Sequence, residues 1–318
     1  MKMRKILGVA LAVFLLLAQA VWAEDETKKE MQLSAQVRYD TNEIVLTCQS
    51  PAEYHQIIMA YLYQEEDPQP TNYLRIGEGE TDENAQAQIS LPIGEDLATG
   101  AYTIKVVGSG LMAADSVAEQ TIELISLEDI DEIVKQINGA SAAEVEPLVK
   151  QLEASLGLVF DEYYEENKEE YLDLFIKGRT QDNEGAFTDA QKVKLSWENT
   201  RILLQMKEIS AAQSMQEFLS ENGASLGFSL DNADYTANPQ KVCEALISNI
   251  KSNGVESVTM ANERFQEALG VGTINATSVE DLEEVLKRYA DVLGYEDSMS
   301  DYDDLDNDEK IKVNRQLN

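Results

Sequence analysis

Histidine is the side chain that enzymes use most often for proton transfer, and this chain of 318 residues contains a single one, His55. Any Ser–His or Cys–His pair would have to use it. His55 stands at the start of a run of alternating apolar residues that is typical of a β-strand. We therefore expect a solvated or packed histidine, and we predict no catalytic residues in this chain.

An acidic run near the C-terminus, residues 301–309, has the composition of a calcium loop. Counted from Asp304, the side chains of Asp306 and Asp308 fall at positions 3 and 5 of an EF-hand. Position 6 is then Glu309 instead of glycine, and position 12 is Arg315 instead of a bidentate glutamate. The pattern predicts a solvated loop before a helix, with no tight metal site; weak calcium binding by the three aspartates stays open, and no other cofactor is expected.

The two cysteines, Cys48 and Cys243, lie in a predicted strand and a predicted helix far apart in the sequence. One histidine and two distant cysteines cannot supply the usual ligands of zinc. We predict two buried free thiols and no disulfide.

Tyr61 and Tyr63 alternate along one face of the strand predicted at residues 56–64. Two aromatic rings on one face could form a platform on which a sugar stacks. Alternatively, the same face, with Ile57 and Met59, is the buried face of the sheet. The sequence leaves both interpretations open.

These candidate residues belong to a β-rich region that extends to residue 125. About seven short strands separated by turn residues predict an immunoglobulin-like or fibronectin-III-like β-sandwich over residues 24–125. Residues 97–102, ending at Tyr102, match a tyrosine corner, in which the hydroxyl group bonds to the backbone upstream. The predicted strands are 32–39, 43–49, 56–64, 72–77, 85–91, 102–108 and 119–125.

From residue 126 the hydrophobic period changes to that of helices, and a segment recurs. Ile137–Gly157 and Ile274–Gly294 have equal length, and Ile209–Gly227 is a looser copy. Each places an apolar stripe at helical spacing before a glycine suited to a left-handed helix end. We predict an all-α domain over 126–318, made of about three divergent repeats of roughly 70 residues that bury their stripes on one another.

The third copy stops at Asn318, where the earlier copies continue into a long helix, predicted at 187–207 in the first. Two interpretations follow: a capping repeat, or a piece of a longer array. The second is slightly favoured.

Residues 1–23 have a basic start, an apolar run and small residues at positions −3 and −1 of a cleavage site after Ala23. This pattern predicts a secretory signal peptide. The alternative is an uncleaved membrane anchor over Ile6–Ala23.

The net charge of the whole chain is −34, and removal of Lys2, Arg4 and Lys5 with the signal peptide makes it −37. Such a charge repels nucleic acids and anionic lipid surfaces. We therefore expect no nucleic-acid partner, and membrane contact only if the signal segment stays uncleaved.

The repeat pattern, an Ile-Asn or Ile-Ser entry, an amphipathic helix, Leu-Gly and a tyrosine loop, resembles helical repeats in exported, S-layer-like surface proteins of Gram-positive bacteria. In those proteins such repeats accompany immunoglobulin-like modules. The resemblance covers residues 126–318 and implies a secreted, non-enzymatic structural or interaction protein of the cell surface. Its partner would be an envelope component or surface protein. The alternative is a module that binds glycan or protein through sandwich loops or the repeat surface.

Overall fold

The computed structural model describes residues 30–39, 41–51, 55–64, 72–108 and 117–317. The predicted signal peptide lies outside these residues. The described residues form seven strands in two antiparallel sheets, followed by twelve helices. No helix among them is long and apolar enough to cross a membrane.

All seven predicted strands are present. One sheet has the order β1-β2-β5 and the other the order β4-β3-β6-β7. The strand predicted at 72–77 lies three residues later. The strands are β1 Gln32–Arg38, β2 Glu43–Gln49, β3 Ile57–Tyr63, β4 Arg75–Glu80, β5 Gln86–Pro92, β6 Gly100–Gly108 and β7 Val117–Leu124.

Burial alternates along the strands, as expected for sheets with one covered face. The fully buried side chains of β3 are Ile58, Ala60 and Leu62. Gly79 in β4 has no room for a side chain, since a Cβ atom there would lie 2.8 Å from the carbonyl oxygen of Gln88 in the other sheet. This glycine therefore lets the two sheets approach at this edge.

The Tyr102 hydroxyl group donates a hydrogen bond of 2.7 Å to the carbonyl oxygen of Ala98. This is the bond of a tyrosine corner, and the prediction is confirmed at the level of this contact.

The helices are α1 Leu127–Gly139, α2 Ala142–Gln151, α3 Glu153–Leu156, α4 Glu162–Asp182, α5 Ala190–Glu208, α6 Ala212–Asn222, α7 Ala233–Ala237, α8 Pro239–Asn253, α9 Val258–Ile274, α10 Leu282–Tyr289, α11 Glu296–Asp303 and α12 Asn307–Leu317. We call α2–α5 the first copy, α6–α9 the second copy and α10–α12 the third copy. The Ser126 hydroxyl accepts the backbone N–H of Asp129, which caps α1. Pro147 lies inside α2.

The three copies end their first segment in the same way. Gly157, Gly227 and Gly294 have φ angles of 64°, 74° and 72°, in the left-handed region. The residue after each glycine donates its N–H to the carbonyl oxygen five residues earlier, at 2.9–3.0 Å. This is the bond pattern of a Schellman motif, so the predicted left-handed helix ends are confirmed.

The apolar stripes occupy matching buried positions. Val145, Met215 and Leu282, which open the stripes, are completely buried. The tyrosine that ends each following loop is also buried, at Tyr164, Tyr235 and Tyr302. The apolar stripe and the loop tyrosine are therefore buried at matching positions in all three copies.

Contacts divide the chain into two compact units. The first contains the described parts of Met1–Ala35, Leu46–Ser90 and Thr103–Thr121, and the second contains Gln36–Val45, Leu91–Tyr102 and Ile122–Asn318. Within the second unit, the Tyr39 hydroxyl accepts the N–H of Ile125 at 2.7 Å and donates to its carbonyl oxygen at 2.9 Å. The domain boundary after residue 125 was placed where the hydrophobic period changes from that of strands to that of helices, and it stays a prediction.

Candidate functional site

The outward side of β3 carries the predicted tyrosine pair. The rings of Tyr61 and Tyr63 lie side by side, with centroids 6.3 Å apart. Tyr61 is half-buried, whereas Tyr63 is only 3% exposed. Ile57, on the same side, is 50% exposed. The completely buried side chains of β3, Ile58, Ala60 and Leu62, lie on the other side. The interpretation of the tyrosine side as the buried face of the sheet therefore holds for Tyr63 and not for Ile57.

A third tyrosine belongs to this surface. The sequence did not indicate that it would contact Tyr61. Tyr73 is 42% exposed, and its ring meets that of Tyr61 edge to face at a centroid distance of 5.5 Å. Ile76 in β4 lies directly opposite Tyr61 in the strand register and is 46% exposed. We call Ile57, Tyr61, Tyr63, Tyr73 and Ile76 the aromatic face.

Charged residues continue the aromatic face across the sheet. Lys105 of β6 is paired with Tyr61 in the register, on the side opposite Ile76. Its ammonium group lies 2.8 Å from a carboxylate oxygen of Glu119 in β7. Burial raises the pKa of the Tyr63 hydroxyl above its usual value, although the charge of Lys105 acts in the opposite direction. The aromatic face therefore combines one exposed, one half-buried and one buried ring with aliphatic side chains and an ion pair at one border.

His55 lies two residues before the start of β3. Its side chain is 71% exposed, and Nδ1 lies 2.9 Å from a carboxylate oxygen of Glu80. Its φ angle of 66° lies in the left-handed region. This is the solvated histidine that the sequence predicted.

One motif was missed by the sequence analysis: Gly223–Gly227, GASLG, matches the G-x-S-x-G pattern of serine hydrolases. In those enzymes the serine stands at a sharp turn from a strand to a helix. Here the segment follows α6 and forms its C-terminal turns, ending at the left-handed Gly227. The structural context of a nucleophile is therefore missing, and Ser225 is an exposed residue of a helix end.

The acidic run at 301–309 ends α11 and begins α12. Asp306 accepts the N–H of Glu309 at 2.9 Å, and the Glu309 side chain accepts the N–H of Asp306 at 3.1 Å. This reciprocal pair caps α12. Asp304 follows α11 and Asp308 lies in the first turn of α12. Within the part of the chain that the structure describes, no three or more His, Cys, Asp or Glu side chains converge as metal ligands.

Both cysteines are free and completely buried, which confirms the prediction made from their spacing. Burial raises the pKa of each thiol to about 11. The reactive thiolate is therefore scarce at neutral pH.

A cavity of about 630 Å³ in the second unit is lined by eleven residues, of which four are the acids Glu95, Glu128, Asp131 and Asp189 and one is Lys135. Asp189 already serves the fold, because its side chain accepts the N–H of Lys192 at the start of α5. The aromatic face, with its exposed apolar side chains, is therefore the stronger candidate for a binding surface.

Comparison with known proteins gives no relative: no family model, no curated protein and no solved structure matches this chain.

Proposed function

We propose that this chain is a secreted, non-enzymatic interaction protein of the cell surface, which binds an envelope component through the aromatic face. In this proposal the β-rich part is an immunoglobulin-like sandwich and the α-helical part consists of about three repeats. The tyrosine-corner bond of Tyr102 and the close approach of Gly79 to Gln88 support the sandwich. The three left-handed glycines support the repeats.

The observation that carries the proposal is the exposure of the aromatic face on a chain with a net charge of −34. Ile57 in β3, Ile76 in β4 and Tyr73, which precedes β4, are each more than 40% exposed. Contiguous apolar patches on a soluble surface mark binding sites, because leaving them in water is unfavourable. A partner that covers these side chains removes that cost.

The aromatic face also favours the second candidate function, recognition of a glycan. Tyr73 meets Tyr61 edge to face, so two rings differ in orientation and offer separate apolar surfaces. The ion pair of Lys105 and Glu119 at the border supplies donors and acceptors for hydroxyl groups. The acidic chain repels anionic polymers, so a neutral glycan fits best.

The test is co-sedimentation of the mature chain with isolated cell walls. We expect saturable binding that weakens at least about tenfold in Tyr73→Ala and in Ile76→Asp, since loss of a central contact costs more than about 1 kcal/mol. The matched control is Val159→Ala, a 48% exposed apolar residue outside the aromatic face. Walls stripped of protein by protease would keep binding if the partner is a glycan and lose it if the partner is a protein. Wild-type binding by both aromatic-face variants would refute the proposal.

A further inference from the structure

Helix α1 lies between the last strand and the first copy, and hydrogen bonds hold both of its ends. All the residues of this arrangement belong to the second compact unit. Along its length the helix buries Ile130, Val134 and Ile137, and it packs against α2 and α5 of the first copy. Connections between folded parts are usually exposed and mobile. This one is a helix with a buried face.

The N-terminal end of α1 is joined to the turn between β5 and β6. The Thr99 hydroxyl accepts the backbone N–H of Ser126 at 2.8 Å and donates to the carboxylate of Asp129. Asp129 in turn donates its own N–H to the Ser126 hydroxyl at 3.1 Å. Thr99 therefore extends the N-cap of α1 from outside the helix.

The turn between β1 and β2 binds the residue just before this cap. Tyr39 in that turn is 6% exposed, and its hydroxyl bonds to both the N–H and the carbonyl oxygen of Ile125. Both main-chain groups of Ile125 are thereby satisfied. The chain is therefore held by two different turns at the point where it passes from strand to helix.

The C-terminal end of α1 is bound by residues of the first copy. The guanidinium group of Arg179 in α4 donates to the carbonyl oxygens of Ile137 and Ala140 at 2.6 and 2.9 Å. The Asn138 side chain exchanges two hydrogen bonds with the backbone of Phe187, at 2.9 and 2.8 Å. A cation at a helix C-terminus is favourable, because it meets carbonyl groups that have no partner within the helix.

We propose that α1 is a rigid coupling helix, which makes the turns at 36–45 and 91–102 and the first copy move as one body, with no hinge at residue 125. Both ends are held by side chains of other elements, so bending at either end breaks several hydrogen bonds together. Burial of the apolar face of α1 opposes its separation from the first copy. The inference goes beyond the proposed function, because it concerns how the chain transmits a movement and not what it binds.

The first test is hydrogen exchange of the full mature chain, followed amide by amide and corrected for intrinsic rates. The N–H of Ser126 is bonded to Thr99, whereas that of Glu128 lies in the first helical turn, where no carbonyl group of the helix can accept it. We expect Ser126 to exchange at least about tenfold more slowly than Glu128, which is the effect of one hydrogen bond. Thr99→Val keeps the shape of the side chain and should remove this protection.

The second test measures movement directly, by the distance between nitroxide labels on Glu95→Cys and Glu169→Cys. Both positions are exposed, one in the turn before β6 and the other in α4. The two native thiols are buried and stay unlabelled. A rigid coupling predicts one narrow distance distribution, which Thr99→Val and Arg179→Met should each broaden. Circular dichroism verifies the fold, and Thr99 is exposed, so its variant keeps the test valid if Arg179→Met fails to fold.

The matched control is Thr180→Val, because the Thr180 hydroxyl is exposed and bonds to Ile176 within α4. It should match the unaltered chain in both measurements. A broad distribution in the unaltered chain would overturn the proposal, since a hinge would then exist. Equal exchange of Ser126 and Glu128, or an effect of Thr180→Val as large as that of Thr99→Val, would also overturn it. So would a distribution that stays narrow in every folded variant.

Discussion

Single ionic contacts in the helical part connect elements distant in sequence, and Glu146 is the clearest case. Its carboxylate lies 2.8 Å from the ammonium group of Lys150 and 2.6 Å from that of Lys168, and its side chain is 18% exposed. Lys168 belongs to α4, so the contact joins α2 to the next long helix. Hydrogen bonds from Lys150 and then from Lys168 lower the pKa of Glu146 to about 2, against the opposing effect of burial.

We predict that Glu146→Gln lowers the free energy of unfolding by about 1–2 kcal/mol at pH 7, since two charged hydrogen bonds lose their acceptor charge. The folded-state pKa lies below the unfolded one, so the carboxylate stabilises the fold above about pH 4.5. This contribution is lost as the pH falls toward 2. Urea unfolding of both proteins between pH 7 and pH 2.5 measures the difference.

The matched change is Glu198→Gln, which removes an exposed acid from α5. It should alter stability little or raise it, because it reduces repulsion in an acidic chain. A pH-independent difference between Glu146→Gln and the unaltered chain would contradict the assignment.

At the scale of the element, the left-handed helix end is the feature shared by all three copies. A non-glycine residue in this conformation is strained, because its Cβ atom crowds the backbone. The space around Gly294 is empty, so the backbone conformation alone opposes a side chain there. A substitution at Gly294 therefore measures the cost of the left-handed conformation without a contribution from steric overlap.

We predict that Gly294→Ala destabilises the fold by about 1 kcal/mol. The change Gly139→Ala at the end of α1 provides the comparison, since Gly139 has no positive φ angle and a Cβ atom there meets nothing within 4 Å. It should be neutral or stabilising, because alanine favours helices. Thermal unfolding of the two variants distinguishes them, and equal effects would show that the left-handed conformation is not the cause.

For the whole molecule, the excess of negative charge is the property that most affects stability in different salts. With 59 acidic and 25 basic residues, the chain repels itself, and cations that gather around it relieve this repulsion. The sequence hypothesis of weak calcium binding by Asp304, Asp306 and Asp308 belongs here. The Asp306 carboxylate already accepts a backbone N–H at the start of α12. We therefore expect calcium to act by screening the negative charge of the whole protein.

We predict that millimolar calcium raises the melting temperature by about 2–4 °C, which corresponds to roughly 1 kcal/mol for a chain of this size class. Sodium chloride at matched ionic strength should give part of the same shift, because screening is the cause. Isothermal titration calorimetry that reveals one saturable calcium site tighter than micromolar would contradict this explanation.

The sequence by itself determined the features that depend on neighbours along the chain. Alternation located the seven strands, and helical spacing before Gly157, Gly227 and Gly294 located the repeated helix ends. The bond between Tyr102 and Ala98 was also predictable, because both residues belong to one short turn segment. Such features follow from backbone geometry and local hydrogen bonding, which a sequence pattern encodes directly.

Only the tertiary structure decided which side of β3 faces inward, because both sides carry apolar residues and the choice depends on packing against the other sheet. It brought Tyr73 against Tyr61 from another segment of the chain. It also placed the start of α9 on Asp182, seventy-six residues earlier in the chain. Contacts between distant segments depend on how complete elements pack, and no local pattern specifies them.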